Sequence, residues 1–447
     1  MKLSKARFVV HLWVVVAICV FCTNANAQKS DVTAIVGGQL VDGNGGPPVH
    51  HSVVLVKGKK IEAVGRDGEL QIPPNAKIVD AHGMTVMPGL IEMHTHLLIL
   101  GAGDYMQWFP WLEREKRAME VMKITSRQLL MQGVTTARDV MSPTDESIQL
   151  REAINAGKEV GPRLFVTGTF IARNCWMLSS YYCTKINSPE EGAAEARKRI
   201  AAGVDWVKAW LGVTPEDLKA ITAEAHKAGK KVSTHGTNDA EINAAIDAKV
   251  DSIEHTGGAP TGTFTPELIN RLAQSGVWVV PTMMQGWVYK LTEDFPERID
   301  DPQLKKDFPS DIYKIVHEQT EHPERLQYYF ADIHSRLKSM PDTWRQLLTG
   351  GVAQHVLIGT DSGTPLNWQT NATRNEMILF VQNGMTPLEA ISAGTRLPAQ
   401  ALGKGDEFGT LVPGKYADIL VIDGNPLENM AYLKNVSHIF KEGAQIK

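Results

Sequence analysis

Four histidines, a lysine and an aspartate stand out in this chain of 447 residues. His94, His96, Lys208, His235, His255 and Asp361 each lie at or just beyond the end of a short apolar run. Side chains on a strand alternate between faces, so His94 and His96 project to the same side and can grip one ion together while Thr95 turns away. Imidazole nitrogens and carboxylate oxygens are ligands that zinc accepts at about 2.0 to 2.2 Å. An isolated His-x-His is more often a structural or surface pair, but two further histidines and an aspartate turn it into a metal-site signature. Lys208 on its own reads as a buried ammonium paired with Asp361.

The runs that carry these residues recur eight times, at 89–94, 134–139, 164–168, 206–210, 232–235, 252–255, 277–282 and 356–361. Most are entered through a glycine and followed by an amphipathic stretch of helix length, the alternation expected of a parallel sheet. Eight strands in about 270 residues predict an α/β fold, a (β/α)8 TIM-type barrel, whose active sites form where several strands end. An open doubly wound sheet is the alternative, but no Gly-x-Gly-x-x-Gly follows the first strand. The connection at about 283–355 is too long for a loop and has its own helical spacing, through Ile312, Ile315, Leu326, Tyr329, Ile333 and Leu337. It reads as a helical insertion.

Both ends of the chain are β-rich, and together they predict one small β-sandwich domain from 28–88 plus 403–447, beside a barrel domain over 89–402. Lys2, Lys5 and Arg7, an apolar stretch and Ala25-Asn26-Ala27 give residues 1–27 the form of a cleavable signal peptide, and predict a periplasmic or secreted protein without stable membrane insertion. Removing it takes the net charge from −4 to −7, which gives no hint of nucleic-acid binding. Cys175 and Cys183 remain, and in an oxidising compartment they read as a disulfide closing a loop, with two unpaired thiols as the alternative.

At Pro88-Gly89-Leu90-Ile91-Glu92-Met93-His94-Thr95-His96, Lys208, His235, His255 and Gly359-Thr360-Asp361-Ser362-Gly363 the chain resembles the amidohydrolase superfamily. Gly409-Thr410-Leu411-Val412-Pro413-Gly414-Lys415-Tyr416-Ala417-Asp418-Ile419 is similar to the return strand of that superfamily's small β-domain. The resemblance spans essentially the whole chain after the leader, and is greatest to the branch of imidazolonepropionase-like proteins and Xaa-Pro-type dipeptidases. It implies a hydrolase of amide-type C–N bonds with two divalent metal ions, zinc in the first instance, although similar ligands suit manganese, cobalt or iron. It also implies that Lys208 is carboxylated by CO2 and bridges the metals. One ion would take His94, His96, Lys208 and Asp361, and the other Lys208, His235 and His255. A free lysine beside four histidines would repel cations, whereas a carbamate supplies a bidentate anion. Such a pair lowers the pKa of a bridging water and polarises a carbonyl. Asp361 would then take the water's proton and deliver it to the leaving nitrogen.

After the third run, where relatives often carry Gly-Gly-His-Gly, this chain has Thr169-Phe170-Ile171-Ala172-Arg173-Asn174-Cys175-Trp176. Arg173 there either holds a substrate carboxylate by a two-pronged hydrogen bond or points to solvent. Arg138 and Asp139 read as a structural ion pair, His226 as a cation at a helix end, and His355 as structural. Trp108, Phe109, Pro110 and Trp111 fit a pocket wall, an interface or ordinary packing. The substrate reads as a dipeptide or N-acyl amino acid, with a cyclic amide, lactone or imidazolone ring as the alternative and a non-catalytic barrel as the remote one. The quaternary state is left open, a homo-oligomer included. Expressed with its leader in a bacterial host, the exported protein should begin at Gln28; an intact mass retaining residues 1–27 would refute a cleaved signal.

Overall fold

The computed structural model describes residues 31–447 apart from 102–103, 177, 260–261, 287, 289–301 and 323–326. The expected leader, 1–27, and part of the 283–355 insertion therefore lie outside the described residues.

Strands Val32–Leu40, Val49–Lys57, Lys60–Arg66, Lys77–Asp80 and Thr85–Pro88 join Ile419–Ile422, Val436–Lys441 and Ala444–Gln445 in one eight-stranded sheet. Thr85–Pro88 splices the two ends of the chain, pairing parallel with the first of these strands and antiparallel with Ile419–Ile422, where Met87 faces Leu420. Val53 and Leu55 enter one apolar cluster with Val32 and Ala34, while Val54 and Val56 enter another with Ile35, Ile61 and Phe440. Burial on both faces explains why 53–56 is an unbroken apolar run, without the alternation of a half-exposed strand.

The first seven runs predicted as barrel strands form strands, all parallel where they pair. Leu90–Thr95, Val134–Asp139 and Arg163–Val166 make one sheet. Trp206–Ala209, Lys231–His235, Ser252–Glu254 and Trp278–Val280 make another, extended by Phe170–Ala172 and Cys183–Lys185. The eighth run is not a regular strand. Val356 bridges Val279, Leu357 N–H donates to Val279 (2.9 Å), and Met93 N–H donates to Ile358 (3.0 Å), so the segment stitches the last strand to the first. At the other seam, Asp205 N–H donates to the Val166 carbonyl at 2.9 Å. The eighth run loses its regularity at 360–361, where both amides converge on the His94 carbonyl and Asp361 takes a left-handed φ of 56°. Gly359 permits that approach, since a Cβ there would lie 2.3 Å from a Val280 methyl.

Helices between the strands start where the sequence says they should. Ser188-Pro189, Thr214-Pro215, Thr265-Pro266 and Thr386-Pro387 each place a hydroxyl cap before a proline in the first turn. The described part of the 283–355 segment is helical over Pro302–Asp307, Ser310–Thr320 and Gln327–Thr349. Trp344 docks the longest of these by stacking on Phe380, with ring centroids 4.4 Å apart. Cys175 and Cys183 are bonded, with Cα atoms 5.7 Å apart. His226 pairs with Asp251 near the end of helix Pro215–Lys227 (2.9 Å), and His355 packs its ring against Trp278.

Arg163 ties the end-built sheet to the parallel strands. It donates to Asp418 (2.8 Å) and Glu442 (2.9 Å), and its guanidinium sits over Phe408 and Tyr416. Removing one partner of a largely buried pair strands the other charge, so Arg163→Ala should cost roughly 3 kcal/mol in urea unfolding. A loss below about 1 kcal/mol would mean that the pair behaves like a surface contact.

Candidate active site

The six residues singled out above meet at one end of the parallel strands. They line a cavity of about 360 Å³ together with Tyr105, Phe109, Met141, Phe170, Trp176 and Trp210, among others. His94 and His96 point the same way from the first strand, and their Nε2 atoms lie 3.3 and 2.8 Å from Asp361 Oδ1. His255 packs against His94 and His235, with ring centroids 4.7 and 4.5 Å away. One ligand atom each from His94, His255 and Asp361 falls within a 4.8 Å span. The family pattern assigns His255 to the other ion, so this grouping measures how compact the whole constellation is.

Backbone strain collects at the same place. His255, Thr282 and Asp361 all adopt left-handed φ, at 69°, 51° and 56°. Such residues persist only where their surroundings over-determine them. Here the His255 ring bonds Thr282 Oγ1 at 2.9 Å, and the His94 carbonyl receives the Asp361 amide at 2.8 Å.

Burial governs protonation. It pushes His235 down to about 3, helped by the positive charge of Lys208 and Arg336, and it carries His255 well below the ordinary imidazole range. Both rings are therefore neutral, the form that donates a lone pair to a metal. Burial opposes charge on Asp361, but hydrogen bonds from His94 and His96 hold its carboxyl well below the usual range. Lys208 is buried and lowered to about 8, by desolvation first and the nearby Arg138 charge as well, against the pull of Glu254. Its Nζ is sealed from solvent without a hydrogen-bond partner, as are His96 Nδ1 and His235 Nδ1. Buried polar atoms are rarely left unpaired, and these three belong to residues that line one cavity whose donor set suits divalent metals.

A model of the amidohydrolase family matches residues 85–446. The chain belongs to the amidohydrolase family. This amidohydrolase is a hydrolase acting on C–N bonds, in a family that typically uses divalent metal. It is 24% identical to ochratoxinase of Aspergillus niger over 473 aligned positions, covering 95% of this chain and 88% of that one. It is also 24% identical to imidazolonepropionase of Geobacillus kaustophilus, covering 87% and 88%. Among solved structures, a Xaa-Pro dipeptidase with methionine bound in its active site matches at TM-score 0.74 and 26% identity, over 93% of this chain and 100% of that one. Its structural neighbours are of the TIM-barrel type, and it shares their α/β content.

Two site features of the amidohydrolase depart from what its sequence suggested. Arg138 pairs not with Asp139 but with Glu254, at 2.7 Å, and also donates to Ser252 (2.9 Å) and the Met93 carbonyl (2.6 Å). Arg173 neither lines the cavity nor points freely to solvent. Its Nε and terminal nitrogen grip both oxygens of Asp217, at 2.5 and 3.0 Å, and Asp217 in turn caps helix Pro215–Lys227. The two-pronged bond foreseen for a substrate is spent on the protein's own carboxylate.

Three buried glutamates escaped the sequence reading. Glu254 receives His94 Nδ1 at 2.6 Å and so leaves His94 Nε2 facing the site. Glu92 accepts the amides of His94 (2.9 Å) and Thr360 (3.0 Å) and the Thr373 hydroxyl, locking the Asp361 segment to the first strand. Glu376 accepts the amides of Met283 and Met284, and burial, with Glu92 and Asp361 nearby, raises its carboxyl well above the usual range. The only signals available were an acidic residue inside an apolar strand, for Glu92 and Glu254, and inside a largely apolar helix, for Glu376, and such signals do not name a partner.

Partners that fix a metal-binding imidazole typically change affinity 10- to 100-fold when lost. Glu254→Gln should therefore weaken metal binding by roughly that factor in chelator competition, and unchanged affinity would reduce Glu254 to a packing role.

Proposed function

We propose that this protein is an exported, binuclear-metal amidohydrolase that hydrolyses the amide bond of a dipeptide or N-acyl amino acid. Its scaffold would be a closed (β/α)8 barrel over 89–402, with a small β-sandwich from 28–88 and 403–447. The observation that carries this reading is the set of sealed, unpartnered polar atoms, Lys208 Nζ, His96 Nδ1 and His235 Nδ1, at a cavity that Asp361 also lines.

His94, His96, a carboxylated Lys208 and Asp361 would hold one ion, and Lys208, His235 and His255 the other. A neutral amine is the form that takes up CO2, and burial moves Lys208 toward it. Two such ions, when bound, acidify water and polarise a substrate carbonyl. The chain's own contribution centres on Asp361, whose buried carboxylate is anionic and faces the His94 and His96 nitrogens. It accepts the proton of the attacking water and hands it to the departing nitrogen, which would otherwise leave as a poor, anionic group. Glu92 and the left-handed turn hold that carboxylate in place.

The Xaa-Pro dipeptidase favours the open-chain amide, and imidazolonepropionase keeps ring opening as the second reading. A non-catalytic role is disfavoured because all six expected metal positions carry competent residues. The deciding experiment combines elemental analysis of purified protein with hydrolysis of dipeptide and N-acyl amino-acid libraries. About two metals per chain are expected, with turnover falling by at least roughly 10³-fold in Asp361→Asn. A protein still metal-free and inert after metal supplementation would overturn the reading.

A further inference from the structure

Beyond the ionisable residues, the cavity wall is largely aromatic. Phe170 and Trp210 stack at 4.6 Å with planes 23° apart, and the edge of Phe170 meets the His96 ring at 6.2 Å. One continuous aromatic wall thus begins beside a residue of the metal set. Tyr105, tilted on Phe109 at 5.3 Å, adds a second aromatic group and contacts Trp176 edge-on at 6.4 Å. Outside the six, Arg336 is the one ionised side chain among the described lining residues, and Asp361 is the one carboxylate among them. Arg336 directs its guanidinium to the carbonyls of His255 and Gly258 and to Gln285.

Trp176 is the unusual member. It leaves 48% of its surface to solvent while adopting a left-handed φ of 52°, a region that bulky side chains rarely occupy. An exposed indole in strained backbone needs bracing, and the loop supplies it. Asn174 Oδ1 accepts the Trp176 amide at 2.8 Å, and the neighbouring Cys175 is tied to Cys183, which pairs with Phe170 across two short strands. Arg173 and Asn174 both donate their amides to Leu211, and the Arg173 side chain is clamped on Asp217. These restraints converge on holding an aromatic side chain at the cavity rim. Trp176 lines the cavity beside Tyr105 and Phe109 on a fixed support, so it is set to meet what enters and its ordering cost is met before the ligand arrives.

We propose that Trp176 is a specificity-determining residue, and that the site selects substrates carrying an aromatic group next to the scissile amide, laid on the Phe170–Trp210 wall and covered by Trp176. The proposal rests on the amide-hydrolase reading and adds to it the substrate class. Among the described residues, a basic substrate side chain would find no carboxylate but Asp361 to pair with, and an aliphatic one would forgo ring–ring contact.

The test compares metal-loaded wild type, Trp176→Ala and Trp176→Phe on matched N-acyl phenylalanine, leucine and lysine substrates, with calorimetric binding of N-benzoyl-phenylalanine and N-acetyl-leucine alongside. The wild type should favour the aromatic series by about tenfold or more in kcat/KM and in binding. Trp176→Ala should lose about tenfold on that series, mainly in KM, with under about twofold change on leucine, and Trp176→Phe should recover most of the loss. Equal use of aromatic and aliphatic substrates, or a uniform loss on all three series, overturns the proposal while leaving the hydrolase reading intact. Aromatic-selective binding without hydrolysis of any series would uphold the selectivity and sink the hydrolase reading.

Discussion

Desolvated charge is the constraint around which this molecule is arranged. Four imidazoles, an ammonium and a carboxylate are largely buried around one cavity, and removing ions from water is costly unless each finds a counter-charge or gives up its own. Both solutions occur here. His235 and His255 stay neutral, while His94 is joined to a buried Glu254 that is itself answered by Arg138. Arg138 spans three strands through Met93, Ser252 and Glu254, with its guanidinium on the Trp206 ring. The packing of the parallel strands and the electrostatics of the cavity are therefore one problem with one solution.

Strands and their ends position the ionisable residues, and a short strand with its adjoining loops supplies the aromatic wall. Lys208 and His235 are held in register by the pairing of their own strands. Phe170 and Trp176, by contrast, lie in the disulfide-closed segment around 170–183, and Trp210 joins it through its amide on the Ile171 carbonyl. This division separates chemistry from selectivity, because loops can vary without disturbing the ladder that sets the ligand geometry.

Periodicity made much of this legible. Seven of eight strands and the proline-started helices follow from local patterns, as does the disulfide, because only two cysteines lie beyond residue 27. What stayed hidden were the distant contacts that support the site. Glu254 meets His94 across 160 positions and Glu92 meets Thr360 across 268, and in sequence each is merely an acid within an apolar run. Arg173 misled for the same reason, since its partner Asp217 already had a visible local role as a helix cap. The eighth strand was legible as a segment but not as a distortion, because its irregularity comes from convergence on His94.

The splice between Thr85–Pro88 and Ile419–Ile422 has a consequence for biosynthesis. The first partner leaves the ribosome more than 300 residues before the second, and during that interval the Thr85–Pro88 edge is open to any other extended chain. Sequence-distant pairing of this kind is slow to form, so the nascent polypeptide spends most of its synthesis needing a chaperone's protection. Premature stop products, whatever share of the active-site residues they retain, expose that edge permanently and become substrates for proteolysis.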